Sequence, residues 1–103
     1  MKKYDKLVRD LIPEIINNTG KKCDFEIVHN NELTDRLEEK LKEEVNEYIE
    51  DKNIEELADI MEVLFGLAKN MGYTEEELIH TRNEKLKERG GFKNGLVLKR
   101  VYE

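Results

Sequence analysis

The residues of this chain whose types and spacing could do chemistry are acidic and come in two pairs. Glu44 and Glu47 form the first pair, and Glu56 and Asp59 form the second. A spacing of three places two side chains on one flank of a helix. The second pair opens a segment that is otherwise nearly all apolar. In such surroundings carboxylates shift their pKa, pair with a base or bind a metal ion.

A divalent cation is the ligand that these acids predict. Oxygen ligands favour Mg²⁺, with Mn²⁺ as the alternative, and Mg²⁺ usually completes its shell with waters and substrate phosphates. On two antiparallel helices the pairs would point into one cleft. We therefore expect a Mg²⁺ site formed by four carboxylates: Glu44, Glu47, Glu56 and Asp59.

A simpler interpretation of the same acids stays open. The chain has 24 acidic residues among 103, so spacings of three also arise by chance. Glu56 follows Asn53 by three residues and could complete a helix cap. Glu44 could pair with Lys40, the best placed base, along its own helix. The competing hypothesis is a helical interaction module without catalysis, whose acids are solvated.

Helical periodicity covers the segments that carry both pairs. Apolar residues recur at helical spacing over residues 33–48, and Asn30 or Asn31 could cap that helix. Asn53 could cap the next helix, which is predicted to run to about Asn70. On the first helix Glu43 is expected to point toward water, because it lies away from the apolar stripe.

The second of these helices is apolar on two sides. Its first face contains Ile54, Leu57, Met61, Leu64, Ala68 and Met71. Its second face contains Ile60, Val63 and Leu67, and the acids of this helix lie beside it. A helix with two apolar faces is usually sandwiched between neighbours in a bundle or at a subunit interface.

Shorter signals complete the domain. Pro13 suits the first turn of a short helix that Gly20 could end. Thr74 and Glu77 have the spacing of a capping box and open a further helix, which ends at the glycine pair 90–91.

Signals for β structure are weak. Residues 23–28 alternate like a strand, and residues 92–103 contain an Asn-Gly turn signal with a β-leaning run. We predict one domain over residues 1–103. Its fold class is mainly all-α, and its architecture is an antiparallel helix bundle with a minor β element at the C-terminus.

A basic cluster, "RNEKLKERGGF" at residues 82–92, could bind phosphates held by the metal ion. Lys85 and Arg89 are one helical turn apart, and arginine forks suit phosphate oxygens. The alternative is purely structural, because basic residues are favoured near a helix C-terminus. Lys6 and Arg9 in "KLVRD" offer the same chemistry, although they could equally be solvated or anchor the N-terminal arm through weak ion pairs.

Composition excludes several functions. A net charge of −6 argues against a protein that coats polymeric nucleic acid. The lone Cys23 excludes an internal disulfide and favours a reducing cytoplasm. The N-terminal stretch lacks the apolar region of a signal peptide, and no run approaches the roughly 18 apolar residues of a membrane span.

Together these motifs resemble the MazG-like, all-α nucleoside triphosphate pyrophosphohydrolases, a superfamily that also contains phosphoribosyl-ATP pyrophosphohydrolases and all-α dUTP and dCTP pyrophosphatases. Residues 6–16, "KLVRDLIPEII", are similar to the start of its small single-domain members. The family motifs EExxE, ExxD and a downstream "NEKL…R" element match residues 43–47, 55–59 and 83–89.

The resemblance implies a Mg²⁺-dependent enzyme that hydrolyses a nucleoside triphosphate or related nucleotide to monophosphate and pyrophosphate. It assigns metal binding to Glu44, Glu47, Glu56 and Asp59, with Glu43 as a less certain member of the first motif. Glu47 or Glu44 would also serve as the catalytic base. The closest alternative is phosphoribosyl-ATP hydrolysis, which uses the same acids.

The resemblance further assigns nucleotide or phosphate contacts to Asn83, Lys85 and Arg89. It implies a homodimer or higher homo-oligomer in which the second apolar face of the central helix packs against another subunit. Two departures from the family pattern are visible. Only residues 48–55 separate the acidic pairs, which shortens the loop that shapes the base pocket, and Leu11 stands where a lysine is common.

Overall fold

The computed structural model describes residues 2–103 and is all-α, as predicted. It contains four helices: α1 (Ile12–Asn18), α2 (Asn30–Asp51), α3 (Ile54–Asn70) and α4 (Glu75–Arg89). The described residues contain no β strand. The predictions of a strand at 23–28 and of a minor β element at the C-terminus were therefore wrong. An isolated strand or hairpin is marginal in water without a third strand or a packed face, and neither is present here.

A two-residue connection joins α2 to α3 and reverses the direction of the chain. Lys52 adopts a left-handed conformation with φ 49°, and its N–H donates to the Tyr48 carbonyl at 2.7 Å. The Asn53 side chain then accepts a hydrogen bond from the Glu56 N–H at 3.0 Å, which confirms the predicted cap. The short connection makes α2 and α3 an antiparallel hairpin.

Contacts at the far end of the hairpin set its register. The Asn70 side-chain amide donates to the Asn30 carbonyl at 3.0 Å and to the Thr34 hydroxyl at 2.6 Å. One turn further in, Gly66 lies so close to Leu37 that a Cβ atom on the glycine would be 3.1 Å from Leu37 Cδ2. This register places the acidic half of α2 opposite the first turns of α3.

The face of α3 that packs against α2 is the second apolar face. Val63 is buried there within the single chain, and Ile60 and Leu67 are half-buried. The prediction that this face contacts another subunit was wrong, because α2 already covers it. Apart from the buried Ala68, the first face is the one left open, with five exposed side chains: Ile54, Leu57, Met61, Leu64 and Met71.

The remaining helices pack lightly. The predicted capping box of α4 is present, with Thr74 and Glu77 each accepting the other's backbone N–H, and α4 ends before Gly90. In the described part of the chain α4 packs against α3 but not against α2. Pro13 lies in the first turn of α1, and α2 begins after His29 instead of after a capping asparagine. No helix in residues 2–103 has both the length and the apolar character that crossing a bilayer requires.

The single chain is extended and buries little. Its accessible surface is 9878 Å², whereas a compact monomer of this size exposes about 6,000 Å². The radius of gyration is 18.0 Å, against about 13 Å for a compact domain of this length. Among the described residues only Leu37, Val63 and Ala68 are buried apolar side chains. The hairpin of α2 and α3 is therefore the structured core of the chain.

Candidate metal centre

The two predicted pairs of acids meet where α2 passes the start of α3. One carboxylate oxygen from each of Glu44, Glu56 and Asp59 lies within 4.8 Å of the others. Oxygens of Glu43, Glu44 and Glu47 form a second group at the same spacing. Because Glu44 belongs to both groups, these five side chains form one patch, which we call the acidic cluster.

The cluster forms because each helix has an acid, where an apolar residue would be expected, on its packed face at the same end of the hairpin. Glu44 follows the buried Leu37 by seven residues, two helical turns along the packed face of α2. Glu56 precedes the buried Val63 by seven residues on the packed face of α3. Since the helices are antiparallel, these two positions face one another. The acids thus occupy places where the hairpin would otherwise continue its core.

Glu44 is the most buried member of the cluster, with 6% of its surface exposed. Its Oε1 atom lies 3.2 Å from Lys40 Nζ. Its Oε2 atom is buried and has no hydrogen-bond partner within residues 2–103. Burial raises the pKa of Glu44, Lys40 opposes that shift, and the neighbouring carboxylate of Glu47 adds to it. One oxygen of this carboxylate is therefore left for a proton or a cation.

Glu56 is in a similar position. Its side chain is half-buried, and its Oε2 atom also lacks a partner in the described part of the chain. Burial raises the pKa of Glu56, and the charges of Asp59, Asp51 and Glu44 raise it further. Only the backbone of Glu56 takes part in the Asn53 cap, so the side chain is not used to complete it.

Three cations of the described chain, residues 2–103, contact the cluster, and two of them belong to the N-terminal segment. Lys6 Nζ lies 2.8 Å from Glu43 Oε1, and Arg9 Nη2 lies 2.8 Å from Asp59 Oδ1. Lys40 contacts Glu43 as well as Glu44, at 3.4 Å. Lys6 and Arg9 are therefore not simply solvated, because each makes an ion pair that joins the N-terminal segment to the hairpin.

The same segment changes the surroundings of Glu43. We expected Glu43 to face water, but only 28% of its side chain is exposed, because Lys6 and Lys40 contact its two oxygens. The hydrogen bond from Lys6 lowers the pKa of Glu43, and it raises the pKa of Lys6. A lysine and an arginine three residues apart in "KLVRD" were a visible signal, but the sequence alone did not connect them to these acids.

The residues expected to contact substrate phosphates lie elsewhere. Asn83, Lys85 and Arg89 are exposed on α4, and Asn83 accepts a hydrogen bond from Arg82 at 2.9 Å. No ion pair or hydrogen bond joins these three residues to the acidic cluster within the described chain. The helix α4 follows the end of α3, whereas the cluster lies at its start. Their assigned role stays a prediction.

Comparisons with known proteins do not add to this picture. No family model matches the chain, and neither a search of curated proteins nor a search of solved structures found a match. The MazG-like resemblance of the sequence therefore stays a prediction that depends on the motifs themselves.

Proposed function

We propose that this protein is a Mg²⁺-dependent pyrophosphohydrolase that splits a nucleoside triphosphate or related nucleotide into monophosphate and pyrophosphate. The observation that supports the proposal most is the buried Glu44 carboxylate, whose Oε2 atom has no partner in residues 2–103 and which lies in a cluster of four further acids. A carboxylate oxygen in such a place is stable only with a proton or a cation. The motif order of the sequence suggests the reaction.

The charges of the site fit one divalent cation. Within residues 2–103 five carboxylates face three cations, so that two negative charges are left over when all of these groups are ionised. The donors are all oxygens, which suits Mg²⁺ or Mn²⁺ better than softer metals. The ligands that we assign to the ion are Glu44, Glu47, Glu56 and Asp59.

The chain supplies the groups for in-line hydrolysis at the α-phosphorus. A bound Mg²⁺ would neutralise phosphate charge and orient the attacking water. One glutamate accepts the proton of that water. Glu47 is the better candidate for this base, because it makes no ion pair in the described chain, whereas Glu44 is paired with Lys40. Glu44 is the alternative base.

A second copy of the chain completes the proposal. The exposed face of α3 includes Leu57, Met61 and Leu64, with exposed fractions of 43%, 55% and 42%. A contiguous apolar patch of this kind is uncommon on a monomer. A homodimer or higher oligomer that covers it could also bring the α4 helix of one subunit toward the cluster of another. Lys85 and Arg89 would then stabilise the departing pyrophosphate.

Two other functions compete with this one. Phosphoribosyl-ATP hydrolysis would use the same acids on a different nucleotide, and a substrate panel assayed for pyrophosphate release separates the two. A helical interaction module without catalysis would need neither metal nor nucleotide. A cytoplasmic location agrees with either enzyme and continues to depend only on the lone Cys23.

The decisive experiment compares two variants of α3. The double variant Glu56→Gln/Asp59→Asn removes two charges from the cluster, and Glu62→Gln removes one from the exposed side of the same helix. We expect the double variant to lose both Mg²⁺-dependent thermal stabilisation and pyrophosphate release from nucleotides, while Glu62→Gln keeps both. If the wild type is not stabilised by Mg²⁺ and releases no pyrophosphate from any nucleotide of the panel, the interaction module is the better description.

A further inference from the structure

The N-terminal segment crosses the acidic cluster from one helix to the other. Lys6 contacts Glu43 on α2, and Arg9 contacts Asp59 on α3, each at 2.8 Å. Three residues of extended chain span at most about 10 Å, which is close to the distance between packed helix axes. Residues 6–9 therefore bridge the two helices directly beside the carboxylates.

The two cations of this segment are held differently. Both oxygens of Glu43 are engaged, one by Lys6 and the other by Lys40 at 3.4 Å, and Glu43 is outside the four proposed metal ligands. Arg9 instead contacts one of those four ligands, Asp59. A cation bound by the cluster would compete with Arg9 for Asp59 and leave the Lys6 contact in place.

The Arg9 contact is also the easier one to exchange. Its side chain is 55% exposed, that of Asp59 is 41% exposed, and only Nη2 of the guanidinium donates within the described chain. Ion pairs at such exposure contribute only about 0.2–1 kcal/mol. The other N–H groups of a guanidinium remain available, and their fork geometry matches phosphate oxygens.

We infer that Arg9 is an anion-binding residue of this site: it pairs with Asp59 when no cation is bound and binds a substrate phosphate once a divalent cation occupies the acidic cluster. The inference rests on the proposed function and adds to it a phosphate contact supplied by the same chain as the carboxylates. Lys6 keeps the segment in place. Arg36 contributes to the same anchoring, since its guanidinium donates to the Asp5 carbonyl and carboxylate, both at 2.9 Å.

The test uses isothermal titration calorimetry with Mg²⁺ alone and then with inorganic pyrophosphate in excess Mg²⁺. The variant is Arg9→Gln, with two controls. Arg36→Gln weakens the anchoring of the segment but keeps Arg9, and Arg100→Gln removes one exposed positive charge near the C-terminus. A purely structural role of Arg9 would change both titrations in the same direction, whereas an anion-binding role changes them in opposite directions.

For Arg9→Gln we expect Mg²⁺ to bind about three- to fivefold more tightly, because a competing positive charge is gone. Pyrophosphate should bind at least about tenfold more weakly, because a charge-assisted hydrogen bond is lost. Both controls should stay within about twofold of wild type for Mg²⁺, and Arg100→Gln also for pyrophosphate.

Three outcomes would overturn the inference. Unchanged pyrophosphate affinity in Arg9→Gln, with Mg²⁺ still bound, removes the role of Arg9 and leaves the proposed metal site intact. Parallel weakening of both ligands in Arg9→Gln and Arg36→Gln makes Arg9 an anchor only. Failure of the wild type to bind Mg²⁺ overturns the proposed function, and the role of Arg9 with it.

Discussion

Lys40 Nζ lies 3.2 Å from Glu44 Oε1, one turn earlier on α2, and is the only cation in residues 2–103 that contacts this buried carboxylate. The pair is local in sequence but largely removed from water, with side-chain exposures of 17% and 7%. Removing one member of such a pair leaves the other charge without compensation. The metal-free protein therefore depends on Lys40 for the stability of its acidic cluster.

The first prediction concerns Lys40→Gln. Without metal at pH 7 this change should lower the free energy of unfolding by about 1–3 kcal/mol, because the Glu44 carboxylate loses its charged partner. Lys42→Gln, on the exposed side of the same helix, is the matched control and should change stability by less than about 0.5 kcal/mol. Urea unfolding in the presence of EDTA measures both. Equal stability of the two variants would mean that Lys40 does not stabilise Glu44.

The second prediction is a pH dependence of the metal-free protein. The pKa values of Glu44 and Glu56 are raised above the ordinary 4.5. Just above pH 4.5 the folded state therefore keeps protons on these carboxyl groups that the unfolded state has released. The contribution of these groups is present below pH 4.5 and is lost as the pH rises through their folded pKa values. The pKa of Glu43 is lowered, so its contribution is present above pH 4.5 and is lost as the pH falls through its folded pKa.

Taken by themselves, these three groups contribute most to metal-free stability near pH 4.5. Thermal unfolding between pH 4 and pH 8, with EDTA, measures the curve. In Glu44→Gln the decline above pH 4.5 should be shallower, because a glutamine at this position does not ionise. A parallel curve for wild type and variant would show that Glu44 is ionised without cost.

The third prediction tests the packing of the hairpin at Gly66. Gly66→Leu should destabilise the protein by about 1–3 kcal/mol, because a side chain there must displace Leu37, whose Cδ2 would be 3.1 Å from the first added carbon. Ala58→Leu, at an exposed position of α3, controls for adding a leucine side chain to this helix and should be nearly neutral. Chemical unfolding of both variants measures their free energies of unfolding. If Gly66→Leu is also neutral, α2 and α3 do not approach as closely as described.

The fourth prediction concerns the exposed face of α3. Met61→Glu should convert an oligomer into a monomer, because a charge placed in an apolar contact would lose its hydration without a partner. Glu62→Gln, one position along and outside this face, should leave the assembly unchanged. Light scattering after gel filtration gives the mass of each form. A wild type that is monomeric at micromolar concentration would contradict the proposed interface.

Much of the secondary structure could be read from short stretches of sequence. Asn53 and the box of Thr74 with Glu77 mark the starts of α3 and α4, and the side chains form those caps in the structure. These features depend on hydrogen bonds between residues three apart, so no distant part of the chain is needed to predict them. The strand expected at 23–28 failed for the opposite reason, since a strand requires a partner that local alternation does not provide.

The acidic cluster was predictable only in part. The spacing of Glu44 with Glu47 and of Glu56 with Asp59 fixed each pair on one helical flank. That the pairs face each other follows from the antiparallel hairpin, whose register depends on contacts such as Asn70 with Thr34. The sequence placed the second apolar face of α3 against a second subunit, but α2 covers that face within the chain.

The sequence by itself determined the helices, the caps of α3 and α4 and the pairing of acids along each helix, because each of these follows from the 3.6-residue period and from bonds to near neighbours. Only the tertiary structure decided which cations meet which carboxylates. Lys6 and Glu43 are 37 residues apart, and Arg9 and Asp59 are 50 residues apart. Such contacts form only after the helices have packed and the N-terminal segment has crossed them, so no local pattern encodes them.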